Sequence, residues 1–300
     1  MVVALRDLTC FDYLLWLRTG QAAAARLGLT QASVSRRGQF VADTFSLQLL
    51  KDRGEWSLSG DPTLLNLERS VHQLYRWDRG EPLRIDATYC AGPMFFEAEQ
   101  PDLVVGNFDV LEIGLPLQLL RSGVIDCWIG CFPDLPDPED PELACFHLTR
   151  TPTKLVVAPS HPLVKLGPAI GFADLEAYPS LALAEGAFPR MEARLRQLGL
   201  WNSPVRALRY NLEKWEGQTA DALTIGYATS FTLHLFDGPR VCLPLDPQMD
   251  VGDTLVVRRA YAMHPRCDAL LERLRRRARE LARTYPDVRV VEGPEGSADR

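Results

Sequence analysis

The chain has 300 residues, 46% of them hydrophobic and 24% charged, with a formal net charge of −6, which supports about two domains with a real core. The acidic balance excludes a chain-wide nucleic-acid coat but leaves room for one locally basic DNA-binding module. Seven scattered cysteines without a CxxC pair exclude a zinc ribbon or a thioredoxin-like motif, and no apolar run approaches a signal h-region or a membrane span, so a cytoplasmic protein with reduced thiols is expected.

Leu8 to Leu17 reads as a first helix, with Phe11, Leu14, Leu15 and Leu17 on its buried side. The alanine-rich run Gln21–Leu27 then meets Gly28, suited to end a helix in a left-handed conformation, and Thr30 can cap the next helix. Two helices across a Gly-containing turn are the sequence form of a helix-turn-helix. With Val34, Val41 and Phe45 inward, Ala32, Arg36 and Gln39 point the other way, Ser33 lies on a flank and Phe40 points outward. A small residue, a hydroxyl, a guanidinium and an amide on one face suit base edges and phosphates in a major groove. The same pattern also suits an ordinary two-helix packing unit. Residues 1–60 hold seven basic against five acidic side chains, a weakly basic end on an acidic chain.

Leu47–Leu50 and Trp56–Leu58 flank the charged turn Lys51–Glu55, a small hairpin that makes the motif a winged helix, with Lys51 and Arg53 on the wing. Asp61-Pro62 starts a further helix, on which Leu64, Leu67, Val71 and Leu74 fall at 3-4-3 spacing, a short dimerisation seam or a packed face. The run Asp78–Pro82 breaks this helix and marks a boundary.

Beyond it, short apolar strands alternate with helices, the mark of an α/β domain. Strands are expected at 83–87, 110–113, 124–130, 155–158, 181–183, 222–228, 241–245 and 254–263. Helices are expected at 117–121, 189–198 and 267–283, and an acidic, proline-rich loop at 133–141. The reading divides the chain into a winged helix-turn-helix module at 1–60, a linker helix at 61–80 and an α/β domain at 81–285, and 286–300 is a disordered tail. No G-x-S-x-G, H-E-x-x-H, P-loop or dinucleotide fingerprint occurs, so no enzyme, cofactor or metal is expected.

In this order the motifs resemble a LysR-type transcriptional regulator. Ala24-Ala25-Arg26-Leu27 through Gln31-Ala32-Ser33-Val34-Ser35-Arg36 is similar to the family's recognition-helix signature. Leu83-Arg84-Ile85, Leu119-Leu120-Arg121-Ser122-Gly123-Val124-Ile125-Asp126 and His161-Pro162-Leu163 resemble its effector-domain steps. The chain differs in Gly38, in Phe45-Ser46 before the wing, in a linker helix only about 24 Å long, and in the little room for a first effector helix between Cys90 and Val110.

The resemblance implies a winged helix-turn-helix DNA-binding domain at 1–60 and, after the linker helix, a two-lobed α/β effector domain at 81–285 of the periplasmic-binding-protein type, with lobe I at about 82–151 and 247–285 and lobe II at about 152–246. DNA contact then falls to Gln31, Ala32, Ser33, Ser35, Arg36, Arg37, Lys51 and Arg53, and dimerisation to Leu64, Leu67, Val71 and Leu74. A cleft at strand ends, where a small-molecule effector would bind, is expected from Thr88, Tyr89, Cys131, Phe132, Glu185, Tyr227, Ala228 and Thr229. The implied partners are double-stranded DNA, an effector and further copies in a homodimer or homotetramer. The alternative is a regulator-derived binding or interaction module that has lost its operator.

Overall fold

The computed structural model describes residues 2–52, 54–96, 100–181, 186–200, 223–234 and 238–291. The chain divides into two compact units. The first comprises Met1–Asp86, Gln100–Asn107 and Gln118–Cys127; the second comprises Ala87–Glu99, Phe108–Leu117 and Trp128–Arg300.

In the first unit, α1 (Leu5–Trp16), α2 (Gly20–Leu27) and α3 (Gln31–Thr44) lead into the antiparallel strands β1 (Gln48–Asp52) and β2 (Glu55–Ser59). The caps follow the sequence. Thr19 accepts from the Ala22 amide, Thr30 from the Ser33 amide, and Gly28 ends α2 at φ 61° in the left-handed region that favours glycine. Leu8, Phe11 and Leu15 of α1 pack with Val41, Ala42, Phe45 and Leu47. Gly38 is buried where these helices meet, and a Cβ there would stand 3.0 Å from the Leu14 side chain. The β1–β2 turn is tighter than expected: Asp52 pairs directly with Glu55, so Lys51 lies on the strand rather than in the turn.

Asp61 accepts from the Thr63 amide at 3.0 Å, and α4 (Thr63–Arg79) runs from there to Gly80. One face is buried through Leu65, Arg69, Gln73, Arg76 and Trp77. Much of that face is charged, and the charge is paired. Asp12 of α1 takes Arg69 and Arg84, each at 2.8 Å. Arg76 grips both oxygens of Asp126, at 2.8 and 2.9 Å. Arg84 sits on β3 (Leu83–Ala87), which pairs in parallel with β4 (Leu103–Val105).

The second unit holds α5 (Ala91–Phe95), β5 (Cys127–Phe132), β6 (Leu143–His147) and β7 (Thr149–Pro152). A separate three-stranded sheet is ordered β10 (Val241–Cys242), β8 (Lys154–Val157), β9 (Gly226–Ala228). α7 (Pro189–Gln197), β11 (Asp250–Arg258), α8 (Pro265–Thr284) and β12 (Arg289–Val290) complete the unit's main elements; α6 (Gly114–Arg121) lies earlier in the chain. β11 pairs with both β6 and β7, and β12 with β7. Leu155, Val157, Leu163, Leu175, Leu195 and Ile225 lie in one apolar core. His161 caps the turn at Pro162, accepting from the Leu163 amide at 3.1 Å.

Several expectations need correction. The strand expected at 110–113 is replaced by β4, because the backbone that pairs with Leu83–Ile85 belongs to 103–105. β6 and β7 were not expected, and β11 begins and ends earlier than the 254–263 prediction. Residues 286–291 are not a disordered tail: Val288 is buried and β12 adds to the sheet. The expected strand residues 182–183 and 222 and the tail 292–300 lie outside the described residues.

Candidate functional site

On α3 the outward face carries Gln31, Ala32, Arg36, Gln39 and Phe40, with Ser33 and Ser35 half-buried at its flanks. The face follows from Val34 and Val41, which are wholly buried seven residues apart. Ser33 Oγ lies 2.9 Å from Thr30 Oγ1, so part of its hydrogen-bonding capacity serves the cap. Arg37 turns back to pair with Asp7 of α1. The fully outward guanidinium on this helix is therefore that of Arg36, and a surface hollow formed by Asp7, Ser33, Arg36, Arg37 and Phe40 lies beside it. On β1, Lys51 is exposed and stands 5.4 Å from the Trp56 ring centroid; Arg53 lies outside the described residues.

Leu64, Leu67, Val71 and Leu74 share a second outward face. They are 67%, 61%, 65% and 50% exposed, and Tyr75 beside them is 51% exposed. Solvated apolar stripes of this kind mark association surfaces. The buried polar network occupies the opposite side of α4.

Within the second unit, six of the expected cleft residues line one cavity of about 120 Å³: Thr88, Tyr89, Cys131, Tyr227, Ala228 and Thr229. They reach it from loops and strand ends, where side chains are not consumed by sheet packing. Phe132 is not brought in. It follows Cys131 on β5 and so faces the other way, with the Arg150 guanidinium 3.8 Å from its ring centroid. Glu185 lies outside the described residues.

Sequence reasoning missed Cys90, Thr153, Phe188, Met191, Leu195 and Met249, which also line the cavity. Met191 and Leu195 are four apart on α7, a spacing that could have paired them on one face; the others carry no local signal.

The polar groups of the wall are mostly spent on local structure. Thr88 Oγ1 lies 3.3 Å from Cys90 Sγ and accepts from the Ala91 amide. Thr229 and Thr232 exchange backbone-to-hydroxyl bonds at 2.7 and 3.1 Å. Tyr227 donates to the Leu200 carbonyl at 2.7 Å. Thr153 differs: its hydroxyl is buried without a hydrogen-bond partner among the described residues. Burial pushes the Cys90 thiol up to about 11 and the Cys131 thiol well above the usual range, so both stay protonated near neutrality. Asp134 accepts from the amides of Arg190 and Met191 at 2.7 and 3.0 Å, joining the acidic loop to the first turn of α7.

Among the described residues no cluster of His, Cys, Asp and Glu is placed to hold a metal, and no helix is long and apolar enough to cross a membrane.

The family model of the LysR substrate binding domain matches residues 96–279. No protein of curated function matches the chain by sequence. Among solved structures, a full-length OxyR variant from Pseudomonas aeruginosa is 18% identical at a TM-score of 0.60, covering 97% of this chain and 99% of that one. Full-length CbnR, solved with its target DNA, is 18% identical at 0.52, covering 92% and 100%. ArgP from Mycobacterium tuberculosis is 16% identical at 0.52, covering 92% and 97%. At these identities the likeness is one of fold, and it runs the length of the chain.

Proposed function

Since the chain belongs to the LysR substrate-binding domain family, we propose that it is a LysR-type, small-molecule-responsive, DNA-binding transcriptional regulator of the cytoplasm. The observation that carries this is the outward face of α3, with exposed Arg36 between Ala32 and Gln39, at the head of a chain whose remainder matches the effector-binding family. Ala32, Ser33 and Ser35 approach base edges, Gln31 and Arg36 supply polar and cationic contacts, and Lys51 and Arg53 of the wing reach phosphates. Arg37 serves chiefly to anchor α3 on α1 through Asp7.

Two copies associate through the Leu64–Leu67–Val71–Leu74 stripe, which sets two recognition helices at a fixed spacing. The cavity in the second unit takes the effector. An effector that binds one arrangement of the subunits better than another shifts the population toward it. On this reading the chain binds and reports, and catalyses no reaction. The proposed domains are the winged helix to residue 60, the linker helix to 80 and the two lobes to 285. The full-length DNA complex of CbnR, a protein of the same fold, favours this reading over a module that has lost its operator.

A protection footprint of the purified protein on the DNA flanking its own gene tests the proposal. The expected pattern is two protected half-sites separated by whole helical turns, about 10 base pairs or a multiple. Uniform or absent protection contradicts it.

A further inference from the structure

We infer that the cavity of the second unit, read as the effector site proposed above, is built for an uncharged single-ring molecule that carries one hydrogen-bonding group. Size comes first. An apolar cavity of about 150 Å³ holds one benzene ring, and this one, at about 120 Å³, admits a ring of that order and little more.

The wall then sets polarity. The described lining residues include no charged side chain. Lys154, next in sequence to the wall residue Thr153, pairs with Asp287 at 2.9 Å, and Arg150 stacks on Phe132 and donates to the Thr149 carbonyl at 2.8 Å, so neither cation lines the cavity. Asp253 is also buried and raises both wall thiols, so the field behind them disfavours an anion. A carboxylate placed here would surrender its hydration without a counter-charge from the described wall.

What the wall offers instead is soft and aromatic. Cys90 and Cys131 bring protonated sulfur, Met191 and Met249 bring thioethers, and Phe188 and Tyr227 bring rings. Thioethers and rings both make favourable contacts with an aromatic guest. One polar feature is unspent. The hydroxyls of Thr88, Thr229 and Thr232 are engaged locally, while the Thr153 hydroxyl is buried without a partner among the described residues. A buried orphan hydroxyl is costly in the free protein and is satisfied by a ligand that supplies the matching group. It selects the hydroxyl, carbonyl or amide on the ring.

The test is calorimetric titration of the full-length protein at pH 7 with phenol, benzoate and protonated benzylamine, three single rings that differ in charge. Phenol is expected to bind at least about tenfold more tightly than either ion. Thr153→Val, which keeps the shape and removes the orphan hydroxyl, is expected to melt at a higher temperature than the parent when ligand-free. It should also lose about two- to tenfold of the phenol affinity. A residue that served packing alone would leave phenol binding unchanged. Benzoate or benzylamine binding as well as phenol, or no binding of any of the three, overturns the inference. Neither result touches the operator footprint, and a failed footprint beside intact phenol binding sinks the regulator reading while leaving the ligand class in place.

Discussion

Asp126 is wholly buried, and it accepts from the Arg76 guanidinium, from Gln73 and from the Arg84 amide. Removing one partner of such a pair leaves the other charge buried and uncompensated, which costs about 3–5 kcal/mol. Asp126→Ala is therefore expected to lower the unfolding free energy in urea by that amount. A loss below about 1 kcal/mol shows that water replaces the carboxylate and that the network is not dry. Asp253 makes a prediction of the opposite kind. Burial pushes its carboxyl from the ordinary 3.8 up to about 6, against the bond donated by Thr149 at 2.5 Å. The folded protein thus holds a proton that the unfolded chain has released, and stability falls as pH rises from about 4 to about 6. The fall amounts to about 3 kcal/mol and levels off above pH 6. Asp253→Asn is expected to flatten that part of the stability–pH curve; an unchanged slope in the variant shows that the proton sits elsewhere.

Among elements, α4 has two faces with different work. Its inner face is tied by Arg69, Gln73 and Arg76, while its outer face presents leucines to solvent. The outer stripe was legible because apolar side chains at 3-4-3 spacing stand out. The inner face was not, since buried arginines read as solvated helix surface until Asp12 and Asp126 are brought to them from residues far along the chain. Leu67→Glu with Leu74→Glu should convert a dimer into a monomer in sedimentation velocity at micromolar concentration, with the folded far-ultraviolet spectrum retained. A dimer that survives both substitutions places the interface elsewhere. Helix α3 shows a similar division. Its caps and inward valines were readable from residue type and period, whereas Gly38 showed only as a difference from the family pattern, one that costs about 1 kcal/mol of helix propensity relative to alanine. In the fold the glycine lets α3 approach Leu14, so the cost is offset by close packing that no local pattern encodes.

For the molecule as a whole, motif order carried more than any motif alone. The helix-turn-helix, the hairpin and the α/β alternation were legible because each follows from caps, turns and periodicity. The misplaced strand at 110–113 and the missed β6, β7 and β12 were not legible, because short strands are fixed by their partners rather than by their own residues. The cavity was legible in part, through loop residues at strand ends that include Cys131; Cys90 adjoins the expected Tyr89, while Met191 and Met249 come from segments distant in sequence. An acidic chain of net charge −6 that binds an operator must do so through a small local patch, and the proposal places Arg36, exposed on α3, at the centre of it.

The most direct measurement is a salt titration of binding to the DNA flanking the chain's own gene, with a random duplex and the Arg36→Ala variant alongside. Specific affinity should exceed random by about 10³-fold or more, fall steeply with salt, and drop in the variant with a shallower salt slope. Equal affinity for both duplexes, with the variant indistinguishable from the parent, contradicts operator recognition by this helix.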